Sequence, residues 1–174
     1  VADVFTNQTA FEAPGNLTIN ATHITNDAGA SINANQTSLN AAGHILNNGR
    51  IDGSSIFTSS NQLTNNAAII GNNIQLSANT LVNQNGSAII AATNNINLWV
   101  GGQLSNIGGA EIYSMGDINI AANGGGARTA YLLNQSSLID AGGNINVTAS
   151  SFDNIRPTIA VGSVVRSVAV QTLA

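Results

Sequence analysis

The stretch "GGNINVTASSFDN" (142–154) alternates apolar and polar residues, crosses a run of small ones, and ends on Phe152-Asp153-Asn154. Alternation at period two marks a strand with one buried face, so Ile145 and Val147 are expected to face a core. Phe152 follows a corner and points inward, and Asn154, two residues on, points inward with it. A buried amide without a partner costs about 1–3 kcal/mol. Something must pair with it.

The rest of the chain supplies the partner by repetition. Eight residues, Asn7, Asn26, Asn47, Asn65, Asn83, Asn106, Asn134 and Asn154, each follow an apolar residue two positions before, from Phe5 and Ile24 to Leu132 and Phe152. The intervals between them are 19, 21, 18, 18, 23, 28 and 20 residues, averaging 21. Turn signals and another apolar residue follow, as in "NDAGASI" (26–32), "NNGRI" (47–51) and "NIGGAEI" (106–112). Upstream lies an apolar-x-apolar triplet after Gly, Asn or Asp, as in "GNLTI" (15–19), "NNINL" (94–98), "GDINI" (116–120) and "GNINV" (143–147).

Units of about 20 residues that hold two or three short strands cannot bury a core alone, but they can stack. The expected fold class is all-β: a right-handed parallel β-helix, or solenoid, of about eight coils. The crossover rule for parallel strands sets the hand. With coils about 4.8 Å apart, each Asn can donate to the amide oxygen of the next and accept from the one before. The eight residues are therefore expected to form a structural ladder. Asn also tolerates the left-handed backbone conformation that a tight turn can demand.

Composition agrees with a folded, sparsely charged rod. Of 174 residues 43% are hydrophobic and only 7% charged, against about 25% usually, with 27 Asn and 18 Gly. Four Arg and no Lys cannot build the basic stripe that phosphate backbones require, so nucleic acid is not an expected partner. No apolar run approaches the roughly 18 residues of a membrane span. The opening "VADVFTNQTAFEA" lacks the basic-then-apolar pattern of a signal peptide, so any export signal is expected outside this sequence. Without Cys there is neither a disulfide framework nor a thiolate metal site.

The period, with units such as "LTINATHITNDAGASINA" (17–34) and "IQLSANTLVNQNGSAIIAA" (74–92), resembles the repeat region of filamentous haemagglutinin-type exoproteins. These include contact-dependent growth inhibition effectors of bacterial two-partner secretion systems. The resemblance covers residues 1–160; residues 161–174 are expected to be a final coil, a cap or the start of another region. It implies a length of fibre shaft on the bacterial cell surface, exported through an outer-membrane two-partner secretion transporter. It also implies a parent protein that is an adhesin or a growth-inhibition effector, with a target-cell receptor or glycan as a further partner.

Candidate chemistry is sparse. Glu12, Asp52 and Glu111 share position +5 after a ladder Asn, but in the first, third and sixth units, so no carboxylate pair is expected at the spacing glycoside hydrolysis needs. Neither catalysis nor a cofactor is expected. His23 and His44, three residues before successive ladder Asn, should stack outward; two imidazoles fall short of the four ligands of a structural zinc site. The longest interval holds "NGGGARTAY" (123–131), a Gly-rich stretch without the strand-loop-helix context of a phosphate cradle. Arg128 and Tyr131 there are candidate receptor contacts. Trp99 and Tyr113 join them, because each follows an inward residue and should face solvent or lie under a neighbouring loop.

Overall fold

The computed structural model describes residues 2–157, and these wind into a solenoid of parallel strands. The strands are β1 (Ala2–Asn7), β2 (Ala10–Asn26), β3 (Ser31–Asn47), β4 (Arg50–Asn65), β5 (Ala68–Gln84) and β6 (Ile89–Ile107). Six shorter ones follow: β7 (Glu111–Ser114), β8 (Ile118–Ala121), β9 (Tyr131–Gln135), β10 (Leu138–Ala141), β11 (Ile145–Val147) and β12 (Phe152–Ile155). The expected end segment, 161–174, lies outside the described residues.

Three faces make each coil. β7, β8 and β9 pair in turn with residues 89–92, 96–99 and 103–107 of β6, and β10, β11 and β12 repeat this on β7, β8 and β9. From β2 to β6 the same three segments run together as one strand of 16 to 19 residues. Their bends survive as register shifts, such as those between Ala21 and His23 and between Asn40 and His44. The eight ladder positions bound seven full turns, because β1 supplies only the last face of the first coil.

Stacking in register builds the core from columns of like residues. Ile24, Ile45, Leu63, Leu81, Leu104 and Leu132 form one column, and Ile32, Ile51, Ile69, Ile90 and Ile112 another; all are buried. Like residues of equal size fill each level without steps, and β-branched Ile suits a pleated, close-packed face. At the bend between the first and second faces the column narrows to Ala34, Gly53, Gly71 and Ala92. A Cβ on Gly71 would fall 2.7 Å from the Gly53 carbonyl oxygen, so the coils meet there backbone to backbone. Some levels break the apolar rule: Thr37, between Leu17 and Ile56, donates to the Asp52 carbonyl, whereas Thr58, between Leu39 and Leu76, has a buried hydroxyl without a partner.

Ile145, Val147 and Phe152 continue the columns of Ile118, Ile120 and Leu132, as their alternation predicts. They are nevertheless 46%, 37% and 49% exposed. They belong to the last described coil, so their inward position alone does not bury them.

Candidate functional site

At the end of the third face every coil presents its ladder Asn. Asn7, Asn26, Asn47, Asn65, Asn83, Asn106, Asn134 and Asn154 stand in register. Each Nδ2 donates to the Oδ1 of the next, at 2.8 Å for the first four bonds and 2.9 Å for the last three. From Asn7 to Asn134 the side chains are buried.

The second amide hydrogen does work that the sequence did not disclose. Asn26 Nδ2 also donates to the carbonyl of Arg50, Asn47 to Ala68, Asn65 to Ile89, Asn83 to Glu111 and Asn106 to Leu138. Each acceptor is the residue that opens the first face of the following coil. One amide thus ties together the end of one coil, the end of the next and that coil's successor segment. The left-handed expectation fails at these residues: none of the eight has positive φ. That conformation falls instead two or three residues later, at Gly29, Asn85, Gly108, Gly109 and Ser136, because an inward amide needs an extended backbone and the reversal comes after it.

The other departure from the period is the corner between β8 and β9. Residues 122–130 replace the three that join the corresponding segments of β6. Asn123 organises this loop: its Oδ1 accepts from the N–H of Gly125 and Ala127, and its carbonyl from Gly126, whose φ is 78°. Those three N–H groups are spent within the loop. Its far end returns to the sheet through Thr129, which donates to Thr148, and Ala130, which donates to Gly101.

Trp99 projects outward from β6 beneath this loop and is half-buried; a Cβ on Gly124 would lie 3.8 Å from the indole ring. Arg128 is exposed on the loop. Tyr131 opens β9, and its hydroxyl donates to Asp153 of the next coil at 2.8 Å. That bond, with the carboxylate charge beside it, raises the phenol's pKa above its ordinary value of 10.0. Tyr113 stands on the first face, in the column of Ala91 and Asp140, away from the second face where Trp99 lies. The four candidate contacts therefore do not form one cluster: only Trp99 and the loop carrying Arg128 belong together.

His23 and His44 stack outward with ring centroids 4.2 Å apart, in a column continued by Gln62, Thr80, Gln103 and Tyr131. Among the described residues no group of three or more His, Asp or Glu is placed to hold a metal ion. Glu12 and Asp52 share a column with Asn33 between them, while Glu111 stands in the column of Ala68 and Ile89. Counting from the ladder misplaced Glu111, since the turn after Asn106 is two residues longer than the turn after Asn47. Asp52 is paired with Arg50.

A family model for the haemagglutinin repeat matches residues 1–67, 51–108 and 113–169, nearly the whole chain. The chain belongs to the haemagglutinin repeat family. No curated protein and no solved structure matches it. Haemagglutinin repeats are structural and adhesive units rather than an enzyme family, and are typical of secreted or surface-exposed bacterial proteins. Among the described residues no helix is long and apolar enough to cross a membrane.

Surface ladders also run along this haemagglutinin repeat. Asn146 donates to Asn119 and Asn119 to Asn97, at 2.8 and 2.9 Å, while Gln84, Asn66 and Asn48 form a similar outward series. The first of these was present in the sequence, as the middle Asn of "INL", "INI" and "INV" at equivalent places. The buried inner amides hold adjacent coils in register, which is the main thing this arrangement does chemically, and the outer series follow that register on the surface.

Proposed function

We propose that this chain is a length of shaft in a large secreted bacterial exoprotein, projecting adhesive or toxic parts away from the producing cell. The observation that carries this reading is the unbroken ladder, one Asn per coil over seven turns, in a family of structural and adhesive repeats. Each coil contacts only its neighbours, so coils can add one by one as the chain emerges. That property suits export through an outer-membrane two-partner secretion transporter, as does a sequence without Cys. In this reading residues 1–160 are shaft, and 161–174 continue, cap or leave it.

The test is made in the full-length parent protein. Removing residues 48–65, one 18-residue period, joins Asn47 to the turn before β5 with the ladder in step. A shaft tolerates this: secretion and display persist and the displayed reach shortens by one coil. Removing about half a coil destroys the register and blocks display. Normal display of the one-coil deletion with complete loss of adhesion or growth inhibition would show that these coils carry the activity themselves.

A further inference from the structure

Trp99 interrupts a track. In the outward column of the second face it follows Asn20, Asn40, Ser59 and Ser77, all short and polar, and is followed by Ala121 and the raised 122–130 loop. The indole and the loop thus form an end wall, with an open recess on either side. The larger recess, about 400 Å³, has Ser59, Ser60, Ser77 and Asn79 along it. The smaller, about 160 Å³, reaches under the loop to Asn119, Asn146 and Thr148. No charged residue lines either.

We propose that this ledge binds a neutral oligosaccharide, with one pyranose ring stacked on the Trp99 indole. The inference goes beyond the shaft reading and does not depend on it. An aromatic face presents apolar area to the C–H face of a sugar while leaving the sugar's hydroxyls free to turn aside. Those hydroxyls find partners here. In the Asn97–Asn119–Asn146 ladder the central amide spends one N–H and one oxygen lone pair on its neighbours, leaving a second N–H and a second lone pair outward. On the other side the hydroxyls of Ser59 and Ser77 and the amide of Asn79 line the recess. The uncharged lining selects against anionic sugars, and the chain's net charge of −4 opposes them further. The combined recess matches two or three sugar rings, within the usual range of about 300–1,000 Å³ for ligand sites.

Trp99 is the only Trp in the chain, so indole emission reads this site alone. The 174-residue chain is titrated with neutral trisaccharides of glucose, mannose, galactose and N-acetylglucosamine, and with a heparin-derived tetrasaccharide. At least one neutral trisaccharide should shift the emission saturably, with half-saturation on the order of 1 mM. Saturation-transfer NMR, which needs no Trp, should show Trp99→Ala weakening that sugar at least about tenfold and Trp99→Phe only a few-fold. Asn79→Ala, at an exposed position, should weaken it about threefold with an unchanged melting temperature. The proposal is overturned if no neutral trisaccharide gives a saturable shift, or if Trp99→Ala binds as the parent does. It is equally overturned if only the heparin fragment binds and Arg128→Ala abolishes that, which would make the loop's cation the contact. None of these outcomes bears on the coil-deletion test of the shaft.

Discussion

Two corners of the same coil behave differently. At the ladder corner the connecting turn varies from two residues after Asn47 and Asn65 to five after Asn83, yet the flanking strands stay in register throughout. The buried amide explains this, because it fixes both sides of the turn whatever the length between them. The corner between second and third faces has no such buried tie. It accepts the nine residues 122–130, and the added chain lies on the surface, over Trp99. Register is held at one corner, so the other is free to differ.

The comparison is broken most severely by Asn65→Asp. A carboxylate accepts but cannot donate, so the 2.8 Å bond to Asn83 Oδ1 and the bonds to the carbonyls of Ala67 and Ile89 all become repulsive. Urea unfolding at neutral pH should show a loss of about 3–5 kcal/mol. Burial raises the folded-state pKa of such an acid above its unfolded value, so the penalty shrinks as pH falls through the folded pKa, when the acid regains one donor. A loss that stays the same in acid would contradict this.

Gly49→Ala attacks the same corner sterically. The added Cβ would sit 2.3 Å from the Ala30 carbonyl oxygen and 2.8 Å from Asn26 Nδ2, pushing the turn off the ladder. Thermal denaturation should report about 1–3 kcal/mol of destabilisation. At the opposite corner, replacing residues 123–128 by two glycines should change stability by no more than about 0.5 kcal/mol, since loop-length effects are shallow. A large drop would mean that the loop, too, holds register.

The smallest effect concerns Tyr131, whose hydroxyl ties the third face to the next coil through Asp153. Its pKa is raised in the folded state, so the tie contributes stability below about pH 10 and is lost as pH rises through the folded value. In a phenolate absorbance titration, Asp153→Asn should lower this pKa toward its ordinary value, with Tyr131→Phe assigning the signal. No change on removing the carboxylate would refute the contact.

Much of this was legible in the sequence because stacking forces equivalent residues into equivalent places. The ladder and the apolar columns needed only the period and the alternation of strands, and the long interval marked the loop. What stayed hidden depends on distances between coils. The second bond of each ladder amide joins residues 21 to 32 apart, across a turn of variable length, so no fixed offset reveals it. The same variability put Glu111 in the wrong column. Trp99 was readable as outward, but its half-cover by Gly124 follows from where a nine-residue loop folds back.

The central claim is that burial makes the inner ladder hold the coils while the outer amide series merely decorates them. Asn65 and Asn66 test it as neighbours: both bridge adjacent coils through amide bonds of 2.7 to 3.0 Å, and only Asn65 is fully buried. Urea unfolding of Asn65→Ala and Asn66→Ala, followed by amide hydrogen exchange, compares them directly. Asn65→Ala should lose about 2 kcal/mol or more, with exchange accelerated in the coils on both sides, and Asn66→Ala no more than about 0.5 kcal/mol. Equal, small losses for both would contradict the account.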